Sequence, residues 1–208
     1  MVLADSEEHA DRIAQLGVKV SYSNIQPPIS TIHDAIAKKS FSGRPHTSST
    51  GDVDSGFAAA AHVFSGATSS KGQYHFYMET QTAVVSLDPM TQGIKVITST
   101  QSPASVQGAV ARAVNLPMSK VALEVARVGG GYGGKLGSGP VTIAVPCAHA
   151  ALKHKAEVRC RSKIKDCMSF VGKRAPAVFS YKVGCDASGK VLAVQGMLYV
   201  ENFRASGR

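Results

Sequence analysis

The chain has 208 residues, is 44% hydrophobic and 18% charged, and carries a formal net charge of +9. A packed globular core in one large domain or two small ones is expected. Its four cysteines (Cys147, Cys160, Cys167, Cys185) form no C-x-x-C pair, which argues against a zinc site or a small disulfide scaffold and for reduced core thiols in an intracellular protein.

The opening "MVLADSEEHADR" is acidic where a secretory signal has a basic start and an apolar run. Residues 5–15 read as a helix with acids in the first turn. "VKVSYS" (18–23) alternates and predicts a strand. "ISTIHDAIAKKS" (29–40) predicts a short helix, capped by Ser30 or Thr31, with Ile32 and Ile36 on one face. Residues 40–56, rich in Ser, Gly and Thr, read as a linker. Beyond it, strands are expected at 57–66 and 73–87, separated by the turn-like "ATSSKG", and at 94–101 after a turn at Asp88-Pro89. Ser102 and Pro103 predict a helix running to about residue 115, with Val106, Val110 and Val114 on one face. A strand over 120–128 leads into a glycine-rich loop, and Ser138-Gly139-Pro140 opens a helix toward Leu152 that Pro146 is expected to kink. Strands follow at 157–162, 177–185 and 190–200, the last two joined by the hairpin turn "DASGK". The fold class is mixed α/β (α+β), with a small first unit and a larger second one.

Two compositional features bear on partners. The most apolar windows, "GFAAAAHVF" and "VTIAVPCAHAAL", are too short to cross a bilayer, so no membrane partner is expected. Much of the positive charge sits in Lys153, Lys155, Arg159, Arg161, Lys163, Lys165, Lys173 and Arg174. Few aromatics interleave with these charges to stack on bases, so the cluster reads as a solvated face or a surface against an acidic partner, not a nucleic-acid site.

The glycine loop "RVGGGYGGKLGSG" (127–139) fits two phosphate-binding patterns. Gly129-Lys135 resembles a P-loop short of its last residue, but Leu136 stands where a Ser or Thr hydroxyl would ligate Mg²⁺. Gly129-x-Gly131-x-x-Gly134 reads as a dinucleotide fingerprint between a strand and a helix. Alternation of Val121, Leu123 and Val125 with Ala122, Glu124 and Ala126 is unlike a central parallel strand, apolar on both faces. An NADP site, with Arg161 on the 2′-phosphate, and simple close packing of strand on helix both stay open from the residues alone.

Five segments in order carry a resemblance: "GQYHFYMET" (72–80), "STQSPASVQ" (99–107), "LPMSKV" (116–121), "RVGGGYGGK" (127–135) and "RAPAVFSYKVG" (174–184). Together they resemble the molybdenum hydroxylases, the xanthine dehydrogenase and aldehyde oxidase family. The resemblance covers the whole chain, weakly before residue 50 and strongly from 70 to 136. It implies that residues 1–48 are the C-terminal part of a hammerhead-like α/β domain, 49–56 a linker, and 57–208 the N-terminal part of a molybdopterin-binding domain.

The resemblance also implies roles. The loop would pass beside a molybdenum held by its pterin, with no direct protein ligand to the metal in this chain. Gln101 would be the catalytic and cofactor-binding residue, donating a hydrogen bond to an oxygen ligand of the metal. Gly131, Tyr132 and Gly133 would bind the cofactor, the last two through backbone amides. Glu79 reads as structural. Leu136 would line the substrate pocket, where xanthine dehydrogenases carry Glu and aldehyde oxidases an aliphatic residue, and so favours small aldehydes and N-heterocycles as partners. The reaction would be a hydroxylation with oxygen from water. Its electrons would leave through two [2Fe–2S] clusters and FAD in other domains of the same enzyme, a cytoplasmic homodimer, with the peroxisome as the alternative location. With those domains absent and the chain breaking off at "ENFRASGR", it reads as an incomplete fragment, inactive alone. A xanthine dehydrogenase-type purine hydroxylase, an NADP-binding domain and a non-catalytic partner-binding fragment are the alternatives.

Overall fold

A computed structural model describes residues 1–201; residues 202–208, the stretch in which the sequence reading places the abrupt chain end, lie outside the described residues. In chain order the elements are α1 (Glu7–Gly17), α2 (Ile32–Ala37), α3 (Val53–Ala58), β1 (His62–Ser70), β2 (Thr82–Asp88), β3 (Gly93–Thr98), α4 (Pro103–Ala113), a 3-10 turn (Met118–Lys120), β4 (Val121–Glu124), α5 (Ser138–His154), β5 (Val158–Arg161), α6 (Ile164–Phe170), β6 (Ala177–Cys185) and β7 (Val191–Val200). They form two sheets, β4-β3-β2-β5 and β1-β6-β7.

The four-stranded sheet carries the core. Strands β2 and β3 alternate, so Ala83, Val85, Ile94 and Val96 share one face and are fully buried, while Lys95 faces solvent. Onto that face pack the valine row of α4, Val106 and Val110, and the small residues of α5, Ala144, Cys147, Ala148 and Ala151. Small side chains on α5 let its axis lie close to the sheet. Pro103 occupies the first turn of α4, where its missing N–H costs nothing. Helix α5 runs unbroken through Pro146.

The three-stranded sheet is antiparallel throughout. The expected 186–190 hairpin turn is present: Asp186 Oδ1 accepts from the backbone of Ser188 and Lys190, and Gly189 takes φ +89. A two-way bridge between Gln73 and Arg174 ties the segment leaving β1 to the segment entering β6.

Several expectations are corrected. Residues 18–23 pair with no strand among the described residues; alternation without a partner is not enough. Within the expected linker and the expected strand at 57–66 lies α3, started by Asp52, whose carboxylate accepts from Ser55 N and Oγ; the strand begins only at His62. The expected strand at 73–87 begins at Thr82, because the backbone of Glu79 and Gln81 bonds instead to the loops at Gly129 and Ser162. Helix α6 was not anticipated; the Asp166 carboxylate accepts from Lys163 N at its start. Strand β4 is a short edge strand, parallel to β3 in an otherwise antiparallel sheet. That is not the doubly wound parallel sheet of a dinucleotide site, so the NADP alternative loses its fold.

All four cysteines are free, three buried and Cys160 half-buried. Part of the basic cluster meets acids of the same chain: Arg161 lies 3.5 Å from Glu7, and Lys163 pairs with Asp11, both carboxylates on α1. No helix among the described residues is long and apolar enough to cross a membrane.

Candidate functional site

Gln101 sits just past the end of β3, at the entrance to α4, where the chain leaves the sheet. The glycine loop comes to the same edge from β4 and returns into α5. The two segments are stitched together by their backbones. Gln101 N donates to Lys135 O at 2.9 Å, and Thr100 Oγ1 donates to the same carbonyl. In return, Gly133 N and Lys135 N donate to Gln101 Oε1 at 3.1 and 3.2 Å. Two amides therefore hold the carbonyl end of the exposed Gln101 side chain, and its NH₂ remains as a donor.

The loop folds back at a tight turn in which Gly134 N donates to Gly131 O at 2.7 Å. Both central residues are left-handed, Tyr132 at φ +50 and Gly133 at φ +89, the requirement of a type I′ turn. For an aromatic residue this is strained by about 1–2 kcal/mol. The turn divides the loop. Tyr132 and Leu136 project outward, 74% and 54% exposed, while Gly131, Gly134 and Lys135 face inward.

The inward glycines answer to packing. A Cβ on Gly131 would collide with the Gln101 side chain, one on Gly134 would lie 2.7 Å from both His75 and Tyr77, and one on Gly129 would lie 2.6 Å from Glu79. Close packing within the chain therefore accounts for much of the glycine run, more than the sequence reading allowed. Gly133 differs: its Cβ would meet only Leu136, at 4.0 Å, on the open side.

Beneath the loop lies a fully buried lysine. Lys135 Nζ is 2.6 Å from Glu79 Oε2 and 3.0 Å from Ser99 Oγ, and it sits 5.0 Å from the centre of the Tyr77 ring. Glu79 Oε2 also accepts from Ser99 Oγ at 2.5 Å and Gly129 N at 2.7 Å. Burial opposes ionisation of Glu79, but the bonds from Lys135, Ser99 and Gly129 outweigh it and hold the carboxyl below its ordinary value. The Glu79 carboxylate is thus engaged by groups of the same chain. The inward turn of Lys135 is new: the "GK" pair suggested a side chain reaching for phosphate, and no local pattern ties it to a carboxylate 56 positions away.

A cleft of about 210 Å³ opens beside the turn, lined by His75, Gly133, Gly134, Ser138 and Lys173. His75 Nδ1 is buried without a hydrogen-bond partner. Gln81, fully buried, braces the inner wall through bonds to Tyr77 Oη and Gly134 O at 2.7 and 3.2 Å. Among the described residues no group of three or more His, Cys, Asp or Glu gathers where a metal could be held.

The chain is 40% identical over 193 residues to aldehyde oxidase 1 of Cavia porcellus, a match covering 93% of this chain and 14% of that protein. It is 38% identical over 193 residues to xanthine dehydrogenase of Drosophila pseudoobscura pseudoobscura, covering 92% and 14%. The chain therefore spans about one-seventh of these relatives' length. Its fold is similar to that of the aldehyde oxidoreductase from Desulfovibrio desulfuricans ATCC 27774, with a TM-score of 0.79 and 20% identity over 95% of this chain and 22% of that one. Residues 32–202, which include Glu79, Gln101 and the whole glycine loop, match the molybdopterin cofactor-binding domain, and the chain belongs to that family.

Proposed function

We propose that this chain forms part of the cofactor and substrate site of a molybdenum hydroxylase of the aldehyde oxidase type, acting on small aldehydes or N-heterocycles. The observation that carries the reading is the side chain of Gln101, fixed at its carbonyl end by two loop amides with its NH₂ left to face a ligand. The residues present fit a molybdenum–pterin group. The open side of Gly133 leaves room for a flat ligand, and the orphaned His75 nitrogen, the Lys173 cation and the start of α5 line the cleft beside it. When bound, that cofactor supplies the redox chemistry of hydroxylation with oxygen taken from water.

The chain's own residues then act as follows. Gln101 binds through its NH₂ and is pre-oriented, so little side-chain freedom is lost when it engages. Gly131 gives Gln101 room, and Tyr132 binds the cofactor through its backbone amide. Gly133 acts through Gln101, because its amide is directed at Oε1. Leu136 lies on the same outward side and offers an apolar wall to substrate. A carboxylate there could hydrogen-bond a purine, whereas a leucine leaves a purine's polar edge unmatched, which disfavours the xanthine dehydrogenase reading. On this reading residues 1–48 are the end of one domain, 49–56 a linker whose last residues wind into α3, and 57–208 the start of the cofactor domain. The two [2Fe–2S] clusters, FAD and the rest of the cofactor site belong to other parts of a cytoplasmic homodimer, so the chain alone is inactive.

The test is Gln101→Ala in the holoenzyme that contains the chain. We expect turnover to fall by about 10²–10³ with molybdenum and pterin content unchanged, the usual cost of one pre-oriented donor. Unchanged turnover at full metal content would reject the role. In the same assay, Leu136→Glu should lower the aldehyde-to-purine ratio of kcat/KM by at least about tenfold, and an unmoved ratio would remove the support for the aldehyde oxidase type.

A further inference from the structure

We propose that Lys135 is a positioning residue: buried against Glu79 and Ser99, it fixes the end of the glycine loop so that the Gly133 and Lys135 amides hold Gln101 in its working orientation. This rests on the role proposed for Gln101 and deepens it.

Lys135 is unusual in being a lysine with no exposed surface, since burial of an ammonium is costly unless it is paired and hydrogen-bonded. Here it is paired on every side that matters. Its side chain reaches back to Glu79 and Ser99, while its own backbone N–H and C=O both engage Gln101. One residue therefore joins the buried anchor to the functional side chain. Glu79 extends the anchor to the other end of the loop: its carboxylate accepts from Gly129 N, and its own N–H donates to Gly129 O at 3.3 Å. Ser99 closes the ring, donating to Glu79 and accepting from Lys135, and it lies two residues before Gln101. The two left-handed positions, the strained Tyr132 and the unstrained Gly133, lie between the anchored ends. With one end released, the turn is free to relax, and the Gly133 amide moves away from Oε1.

The test is Lys135→Met, which fills the same slot without the cation. The Glu79 that remains keeps its Ser99 and Gly129 bonds and has a side chain 35% exposed to water, so folding should survive. In the holoenzyme that contains the chain, amide hydrogen exchange should quicken by at least about tenfold over residues 129–137 while residues 104–113 of α4 keep their wild-type rates, the signature of a local opening. In the holoenzyme, kcat should fall by at least about tenfold with KM within about twofold and molybdenum content unchanged. Loop exchange unchanged in folded Lys135→Met, or α4 quickening as much as the loop, overturns the proposal. If Lys135→Met does not fold, Ser99→Ala replaces it; that change removes one member of the ring and should quicken the loop alone by about threefold or more, and no change would again overturn it. A wild-type protein without molybdenum whose loop nevertheless loosens in Lys135→Met would reject the hydroxylase reading and uphold the positioning of Gln101 by Lys135.

Discussion

The two sheets of this chain are built from similar residues and end in different states. In β2, β3 and β4, Val85, Ile94, Val96 and Val121 are no more than 1% exposed, closed over by α4 and α5. In β1 and β7, Phe64, Val191, Val194, Met197 and Leu198 are all more than half exposed, and the short α3 covers only part of that sheet. Apolar alternation thus shows that a face is made for burial, but not whether this chain supplies the cover. The candidate site grows from the closed sheet. Gln101 leaves β3, and the loop returns into α5, so each arm of the clamp is rooted in fully buried structure. A site that must hold a donor within a few tenths of an ångström needs such roots.

The largest effect that would sharpen this comparison is expected at the buried pair under the loop. Glu79→Gln leaves the wholly buried Lys135 charge without its partner and should cost about 3 kcal/mol in a denaturant titration. Lys135→Met, which leaves only the partly exposed Glu79 carboxylate, should cost clearly less. The acid arm has a fixed sign. Because the folded pKa of Glu79 lies below its ordinary value of 4.5, its contribution is complete above that value and is lost as pH falls through the folded pKa. Titrations carried downward from about pH 5 should show this loss in wild type, and Glu79→Gln should lack that component. Equal costs for the two variants would mean that the burial of Lys135 is not what roots the loop.

The contrast between sheets is tested directly by paired valines. Val96→Ala removes two methyls from the closed face and should cost about 2 kcal/mol, combining lost transfer energy with a cavity. Val194→Ala, at a position 54% exposed, should change stability by less than about 0.5 kcal/mol. A large cost at Val194 would show that the second sheet is covered in solution by something other than α3.

Much of the closed sheet was legible because its signals are local. The valine row 106, 110 and 114, Pro103 at a helix start, and the alternation of β3 each name their element within a few residues. Gln101 and the loop were legible only as a resemblance, since a lone glutamine after a strand carries no pattern of its own. The rest was hidden for physical reasons. The segment 73–81 has strand composition but uses its backbone groups on loops far along the chain, so no period could reveal it. Lys135 was misleading because glycine-lysine at a helix approach suits a phosphate, and its true partner, Glu79, is close only after folding. Residues 18–23 show the converse, a good alternating pattern with no strand beside it among the described residues.

The smallest effect, and the one that best separates strain from burial, comes from two tyrosines. Tyr181 lies in β6 in ordinary extended structure, stacked on Phe179 at 5.9 Å and covering the bare backbone of Gly66. Tyr181→Gly should destabilise, because it removes cross-strand contacts and adds the backbone freedom of glycine to the unfolded chain. Tyr132 is twice as exposed, at 74% against 37%, its ring lies over the bare backbone of Gly130, and it holds a left-handed φ of +50. Tyr132→Gly relieves strain of about 1–2 kcal/mol and gives back about 0.5–1 kcal/mol as unfolded-state entropy, so a net gain of about 0.5 kcal/mol is expected. The sign matters more than the size. A residue that is exposed, strained and removable with a gain in stability is held for what it does at the surface of the site, so the same variant should lower turnover in the holoenzyme while raising the unfolding midpoint. If Tyr132→Gly instead destabilises as Tyr181→Gly does, the turn is supported by contacts of the ring, and the outward position of Tyr132 follows from packing alone.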